Sequence, residues 1–456
     1  MGIHVISMCA ILAIIPLYWL PVLPDLHIVW LLIAAGIALS VQKRKWLRFS
    51  GLALLFMCWG ILAAQESVWP MNHLTKAPQQ AEVVITATDG ATMHQGRIIS
   101  LNGERVWAAM GVSLYGNYLP QNVCVGQRWA MTLRLRAVHG ELNDGGYDSQ
   151  KNAFARHQTL SGRFTHAEIV DARCSLRSQY LTSLQNTLSA YQWGPVILGL
   201  GMGERLSVSR EIKNLMRETG TMHLMAISGL HIALAASVIW FLARGIQFFV
   251  PGRWIIWQIP LLTGLIFAAF YAWLTGLQPP ALRTVIALVV LAALKMSGRQ
   301  WSPWQVWLTC VAAILIFDPL AVLSQSLALS AFAVAALIFW YQWLPLPHWQ
   351  RGRCLRPLVT LLYLQVGMLL LLLPLQVLIF HGFSLSSLVA NLFAVPLVTF
   401  ISVPLILLGM FLHLFPVATL ESIVWLAADK SLAGLFWLLM RLPNGWQDVD
   451  ERWQYL

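Results

Sequence analysis

Long apolar segments recur through this sequence and constrain its fold more than any other feature. The first covers residues 5–23 and the last covers residues 421–440, and most of the others are also long enough to cross a bilayer as helices. Hydrophobic residues make up 58% of the chain and charged residues only 11%, against roughly a quarter charged in a soluble domain. The pattern excludes a soluble globular protein and predicts a polytopic α-helical membrane protein with about eleven spans.

One internal segment differs from the rest, because charges are frequent in it and apolar residues alternate. The alternation predicts strands over residues 81–88, 97–101, 106–114, 128–138 and 161–170, followed by a polar helix over 176–191. Five short strands favour a small inserted all-β barrel, for which the OB fold is one candidate. The predicted domains are transmembrane helices (1–64), the β domain (65–192), a transmembrane domain (193–445) and a tail (446–456).

Basic residues predict the orientation of the chain. Lys43, Arg44, Lys45 and Arg48 share one short loop, which the positive-inside rule places in the cytoplasm. The N-terminus is then cytoplasmic and residues 65–192 are external. Alternating the later spans also places Arg244, Arg253, Lys295, Arg299, Arg351, Arg353 and Arg356 inside. These loops account for most of the net charge of +11, so bulk charge does not indicate nucleic-acid binding.

Two of the six cysteines lie in the external segment. Cys124 and Cys174 are expected to form a disulfide, because thiols in an oxidising compartment usually pair. The alternative is a pair of buried free thiols in a chain that meets no oxidant. In the chain-entropy model, a disulfide closing a loop of about 50 residues contributes on the order of 4 kcal/mol.

The densest polar cluster covers residues 219–231 and includes His223, Ser228, Gly229 and His231. On a helix predicted from residue 222, Ser228 and His231 are i,i+3 neighbours, and His223 and His231 share one face. Polar residues inside a membrane can mark an aqueous path or a gate, but from the residues alone close helix packing is the favoured explanation. A serine hydrolase with Ser228 as nucleophile is a third interpretation. The histidines have no metal-ligand spacing, so neither a metal nor another cofactor is expected.

Two further polar segments interrupt the apolar ones. Residues 278–284 open a helix with two prolines and place Arg283 in its first turn, where it either faces a cavity and meets an anion or snorkels to the interface. Residues 381–404 contain Asn391, Pro396 and Pro404, which indicate broken helices that either line a cavity or pack inside the protein.

In this order, these segments resemble the ComEC family of bacterial competence DNA-uptake proteins. Residues 222–231 are similar to its central signature and residues 280–283 to its P-x-x-R segment, although Thr284 stands where the family usually has alanine. Further similarity covers residues 326–336, 380–396 and 143–148, where Asp144 replaces the usual proline of an N-P-G-x-F-D run.

The resemblance implies a channel in the bacterial inner membrane that passes single-stranded DNA into the cytoplasm. The external barrel would be a periplasmic OB-like domain held by the disulfide. The implied pore or gate residues are His223, Ser228, Gly229, His231, Arg283 and Asn391. The implied partners are single-stranded DNA, the bilayer, periplasmic DNA-delivery proteins and a cytoplasmic motor, with a homodimer left open.

Candidate DNA contacts follow from the same resemblance, because arginines track phosphates and aromatic rings stack on bases. They are Arg128, Trp129, Arg134 and Arg136 in the barrel, and Arg205, Arg210, Lys213 and Arg217 just outside the membrane. The alternative for each is a solvated surface. Family members usually continue into a metallo-β-lactamase-like module, for which Asp448, Asp450 and Glu451 are no substitute, so we expect a channel without nuclease activity. A solute permease is the leading alternative function.

Overall fold

The computed structural model describes residues 2–449, apart from positions 21, 73, 76, 89–91, 117, 118, 120–122, 141–147, 206, 250, 253, 254 and 346–355. Several sequence predictions lie outside the described residues: the turns at 89–90 and 143–146, the basic residues Arg253, Arg351 and Arg353, and the acidic residues Asp450 and Glu451. The chain forms two compact units, residues 1–180 with 308–328 and residues 181–307 with 329–456.

The first unit begins with three apolar helices, α1 (Ile3–Ile14), α2 (Leu26–Ser40) and α3 (Lys45–Asn72). The α2 and α3 backbones approach closely at Gly51, where a Cβ atom would lie 2.6 Å from the carbonyl oxygen of Gly36. Small residues that let backbones meet are typical of helix packing in membranes, where apolar side chains gain nothing by leaving lipid.

A closed five-stranded barrel follows, as the alternating pattern predicts. The strands are β1 (Gln79–Thr88), β2 (Met93–Leu101), β3 (Glu104–Tyr115), β4 (Arg128–Ala137) and β5 (Leu160–Asp171), with the helix α4 (Ser149–Ala155) between the last two. They pair in the order β1-β2-β3-β5-β4, and the β3–β5 pair is parallel. The second strand begins four residues before its predicted start, because the buried side chain at its beginning is His94, which a hydrophobic pattern does not count.

The barrel core corrects one predicted DNA contact. Trp129 is 1% exposed and packs with Val83, Met131 and Leu133. Its indole N–H donates to Oε1 of Gln127 at 3.2 Å. A ring held inside the barrel is not available to stack on a base, so the prediction that Trp129 contacts DNA is wrong. Trp129 alternates with Arg128 along β4, and the tryptophan belongs to the inward set.

The predicted disulfide is confirmed. Cys124 and Cys174 are bonded, with their Cα atoms 5.6 Å apart. The bridge joins the segment before β4 to the segment after β5, and the Ser175 N–H donates to the Val125 carbonyl beside it at 2.8 Å. The ends of the last two strands are therefore held together covalently and by hydrogen bonding.

The remaining elements are mostly apolar helices. In chain order they are α5 (Leu176–Leu188), α6 (Gly194–Met202), α7 (Arg210–Glu218), α8 (Gly229–Gln247), α9 (Gln258–Leu274), α10 (Pro279–Met296), α11 (Pro303–Phe317), α12 (Gln325–Trp343), α13 (Arg356–Phe380), α14 (Ser387–Leu397), α15 (Val403–Leu412) and α16 (Ala418–Leu439). A π turn (Val398–Ser402) joins α14 to α15, and the short strands β6 (Gly382–Ser384) and β7 (Trp446–Asp448) pair antiparallel.

Seven helices among the described residues are long and apolar enough to cross a membrane: α3, α8, α10, α12, α13, the continuous α14–α15 helix and α16. Four shorter apolar helices accompany them: α1 with its following 3-10 turn, α2, α9 and α11. The architecture is that of a polytopic helical membrane protein with a small inserted barrel.

The structure corrects the predicted start of the helix that carries His231. Residues Met222–Met225 form a 3-10 turn, Ala226 is extended, and α8 begins only at Gly229. Ser228 is the N-cap, and its Oγ accepts the N–H of His231 at 3.3 Å. Serine is favoured at this position because its hydroxyl satisfies an otherwise open helix N–H group. The prediction that His223 and His231 share a helix face is therefore wrong.

Candidate functional site

Polar groups and helix ends of the second unit gather in one region, which we call the polar layer. It consists of residues 199–204, 219–231, 275–284 and 382–391. These segments contain all six residues that the sequence assigns to a pore or gate. The layer interrupts helices whose other parts are almost entirely apolar.

Glycines at the end of α6 allow the layer to assemble. Gly203 ends α6 with φ +77°, and a Cβ atom there would lie 3.0 Å from Cδ1 of Ile227 and 3.3 Å from the Thr275 carbonyl oxygen. The hydroxyl of the buried Tyr271 donates to the Gly201 carbonyl at 3.2 Å. The end of α6, the extended segment before α8 and the α9–α10 turn therefore meet at one point.

The starts of α8 and α10 are in direct contact. A Cβ atom on Gly229 would lie only 2.6 Å from Oγ1 of Thr284, so glycine is required for this approach. Thr284 donates to the Pro280 carbonyl at 2.9 Å, and Nε of the neighbouring Arg283 donates to the Pro279 carbonyl at 3.1 Å. The two strongest sequence motifs are thus brought together. Thr284, which departs from the family pattern, lies at their contact.

The two signature histidines have different environments. His231 is 1% exposed, and its Nδ1 has no hydrogen-bond partner among the described residues. Buried polar atoms without partners are rare and mark functional or hydrated sites. His223 is exposed on the 3-10 turn, where its Nδ1 lies 3.2 Å from the Gly220 carbonyl oxygen.

The hydroxyl of Ser228 is committed to capping α8, and the contact recorded for its Oγ is with the backbone of His231. A serine nucleophile needs its hydroxyl hydrogen-bonded to a base. The described contacts therefore give no support to the hydrolase interpretation at Ser228.

The third predicted segment joins the layer at Gly220. This residue has φ +68°, and a Cβ atom there would lie 2.5 Å from Cβ of Ser387. Ser384 donates to the Glu218 carbonyl at 2.6 Å, so β6 and α14 are held against the end of α7. Asn391 lies further along α14, and its buried Oδ1 has no partner among the described residues.

The basic residues of α7 lie along one helix face. Arg210, Lys213 and Arg217 are spaced i, i+3 and i+7, which places them in a row. Ser209 caps this helix by accepting the Ile212 N–H at 3.3 Å. The guanidinium of Arg217 lies 4.7 Å from the centre of the Trp446 ring. Arg205 lies in the loop between α6 and α7, apart from this row.

The barrel surface carries a group of three arginines, of which the sequence analysis identified two. Arg134 and Arg136 are exposed on β4, and Arg163 on β5 lies directly opposite Arg134. None of these three arginines forms a salt bridge within the described part of the chain. Like charges opposite each other on neighbouring strands cost stability unless an anion lies between them. Arg163 was missed because the register of β4 against β5 cannot be read from the sequence.

The other predicted barrel contact, Arg128, has an internal partner. Its guanidinium lies 4.0 Å from Oε1 of Glu82. Asp171, opposite Arg128 in the ladder, pairs instead with Arg173 at 2.9 Å, and this hydrogen bonding lowers the pKa of the Asp171 carboxyl to about 2. Arg134, Arg136 and Arg163 are therefore better placed than Arg128 to receive an anion.

A buried carboxylate was also missed. Asp429 lies within α16, is 6% exposed, and accepts the Trp193 N–H at 2.8 Å where α6 begins. The Trp193 ring stacks on Phe436 with the ring centres 4.2 Å apart. The signal in the sequence was a carboxylate in the middle of a mostly apolar helix, which is rare unless it has a partner.

This fold and this site define a class: a polytopic helical membrane protein with an inserted five-stranded barrel and a polar layer inside its helical unit. Residues 200–451 match the family model described as Competence protein, and the chain belongs to that family. The resemblance recognised from the motifs is thereby confirmed.

The chain is similar to several named proteins. It is 58% identical over 456 residues to the uncharacterized protein YcaI of Escherichia coli. That match covers 100% of this chain and 60% of the Escherichia coli protein. It is 32% identical over 421 residues to Recombination protein 2 of Haemophilus influenzae (91% and 51% covered). It is 29% identical over 394 residues to Competence protein ComA of Neisseria gonorrhoeae (82% and 54% covered). The chain thus spans about half to three fifths of the length of these relatives. No solved structure matches it.

Proposed function

We propose that this chain forms the conduit by which single-stranded DNA crosses the bacterial inner membrane during DNA uptake. The observation that carries the proposal is the polar layer, in which the α8 start meets the Arg283 segment inside otherwise apolar helices. Relatives are named for competence and for recombination, which agrees with a role in handling DNA. A guanidinium in this layer suits a phosphate backbone, because arginine binds phosphate with a fixed, planar set of donors.

The membrane topology belongs to this proposal. The basic loop that begins α3 is cytoplasmic, as is the N-terminus, and the barrel is periplasmic. The geometry of the last helices favours nine crossings rather than the eleven predicted. Ser387, which begins α14, packs at Gly220, whereas Met410, near the end of α15, packs at Gly201. The continuous α14–α15 helix has 26 residues, or about 39 Å, and both of its ends contact the polar layer.

We infer from these two contacts that the helix runs along the layer and does not cross the membrane. The α16 helix packs beside it, with the hydroxyls of Ser402 and Ser431 2.9 Å apart. The proposed crossings are therefore α1, α2, α3 and α8 to α13. In this arrangement α14, α15 and α16 form a wall of the conduit on the periplasmic side.

The barrel is proposed to deliver the strand. A closed five-stranded barrel is the architecture of OB domains, which bind single strands through a basic groove. Arg134, Arg136 and Arg163 supply exposed positive charge and form no salt bridge with the described residues. Periplasmic DNA-delivery proteins, a cytoplasmic motor and a nuclease acting on the other strand are proposed partners. We assign no cofactor, metal or covalent chemistry to the conduit, and a homodimer is one arrangement that it permits.

Arg283→Ala is expected to reduce uptake of labelled DNA by cells by about 10-fold or more at unchanged protein level. A charge-assisted hydrogen bond contributes roughly 1.5–3 kcal/mol, and each 1.4 kcal/mol is tenfold. The matched control is Arg299→Ala, which removes an exposed arginine just beyond the opposite end of α10 and should leave uptake unchanged. Undiminished uptake with Arg283→Ala would remove this residue from the conduit.

A further inference from the structure

Outside the polar layer, three polar side chains of the second unit form a continuous hydrogen-bonded chain. The Ser183 Oγ lies 2.8 Å from Nε2 of His413, and Nδ1 of the same imidazole lies 2.7 Å from Oε1 of Glu421. Ser183 is on α5, His413 follows the last residue of α15, and Glu421 lies in the first turn of α16. Three separate helices therefore bring a hydroxyl, an imidazole and a carboxylate into line.

The carboxylate end of this chain is fixed. The indole N–H of Trp425, which is fully buried, donates to the same Glu421 oxygen at 2.9 Å. The His413 and Glu421 side chains are only 12% and 14% exposed, whereas Ser183 is exposed. The Tyr191 hydroxyl donates to the Ser422 carbonyl at 3.3 Å, which further ties the chain after α5 to α16. An accessible hydroxyl thus has a shielded base behind it and a fixed carboxylate behind the base.

This is the arrangement by which a serine is activated. A base hydrogen-bonded to the hydroxyl removes its proton, and a carboxylate on the other ring nitrogen orients the imidazole and stabilises its charged form. The role is recognised by geometry, and glutamate in place of aspartate is known in serine hydrolases. Helix anchoring alone requires only one of these contacts and does not require an accessible serine.

The surroundings indicate which kind of substrate would fit. Leu414 and Phe415, adjacent to His413, are 64% and 49% exposed, and the Phe415 ring contacts that of Phe411. Exposed apolar side chains beside a polar site suit an acyl chain at a membrane surface.

We propose that Ser183, His413 and Glu421 form a serine-nucleophile site that cleaves carboxylic esters of apolar acyl chains. The Ser183 oxygen forms a bond to the carbonyl carbon while its proton passes to Nε2 of His413. The ester C–O bond then breaks, the leaving alcohol takes that proton, and Ser183 carries the acyl group. Water, deprotonated by His413, attacks the acyl carbon, releases the acid and returns the proton to Ser183. The site is independent of DNA passage.

A fluorophosphonate probe tests the site directly, because an activated serine displaces fluoride and bonds to phosphorus. The intact, detergent-purified protein is expected to be labelled at Ser183, as located by peptide mass spectrometry. Ser183→Ala should abolish labelling, and His413→Asn should slow it at least about 100-fold, since an activating base is lost while the serine remains. Ser189→Ala is the matched control, because it removes another exposed hydroxyl from the same segment and should change nothing.

Hydrolysis of p-nitrophenyl esters provides the second measurement. We expect octanoate to be cleaved faster than acetate and Ser183→Ala to lose this activity, with every variant compared as monodisperse protein. The proposal is overturned if Ser183 stays unlabelled while an added serine hydrolase in the same sample is labelled completely. It is equally overturned if His413→Asn is labelled as fast as the unsubstituted protein, because Ser183 would then be an ordinary surface hydroxyl.

Discussion

Trp129→Ala should destabilise the barrel by about 3–5 kcal/mol, which is the usual cost of removing a large aromatic side chain from a core. The ring is 1% exposed and lies in the middle of the barrel cluster. Its removal also takes one donor from Gln127, whose Oε1 additionally accepts the Cys124 N–H at 3.1 Å. Hydrogen exchange followed by mass spectrometry of barrel peptides in the intact protein measures the effect as faster exchange in all five strands.

The control for this substitution is Trp129→Phe, which keeps most of the buried ring and should cost much less than the alanine. Arg134→Ala, on the same strand but facing outward, should leave exchange unchanged. If Trp129→Ala weakened binding of single-stranded DNA while the barrel kept its full protection from exchange, the ring would be a base-stacking residue. The position of Trp129 in the core would then be contradicted.

Reversing two barrel charges is expected to have the largest effect on DNA binding. Arg134→Glu together with Arg136→Glu should weaken binding of a single-stranded oligonucleotide on the order of 100-fold at low salt, at roughly tenfold for each lost arginine–phosphate contact. The slope of log affinity against log salt should fall by about 0.7 for each contact removed. Fluorescence anisotropy with the full chain in nanodiscs measures both quantities.

A charge already neutralised within the protein supplies the control. Arg173 is exposed and forms a salt bridge with Asp171 at 2.9 Å, so Arg173→Glu should change DNA affinity far less than the double reversal. An unchanged salt slope in the double variant would show that Arg134 and Arg136 do not contact phosphates. Equal losses in the two variants would show a general charge effect instead of a defined contact surface.

Much of the fold could be predicted from local patterns. The barrel strands follow from the alternation of residues such as Met131 and Leu133 with polar neighbours, and the apolar helices follow from composition. The Cys124–Cys174 disulfide could be predicted because both cysteines lie in the segment assigned to an oxidising compartment, where two thiols usually pair. Strand alternation and apolar composition depend on neighbouring residues, and the disulfide depends on the number of cysteines. A single sequence contains both kinds of information.

The errors arise where long-range geometry decides. Ser228 ends an extended segment and caps α8, although the apolar residues around it fit a continuous helix equally well. Trp129 was predicted to contact DNA because it is aromatic, although the alternation of side chains along β4 already placed it on the inward face of the barrel. Arg163 and the Ser183–His413 contact depend on strand register and helix packing between residues far apart in sequence. Local periodicity does not contain that information.

If the helical unit conducts single-stranded DNA as proposed, the strand should pass into proteoliposomes that contain the purified protein. Purified protein is reconstituted, a voltage positive inside is applied, and fluorescent DNA protected from added nuclease is measured. We expect single-stranded oligonucleotides to become protected, duplex DNA to stay outside, and Arg283→Ala to reduce protection about 10-fold. Passage of small solutes without any protection of single-stranded DNA would show that the helical unit is a solute permease and not a DNA conduit.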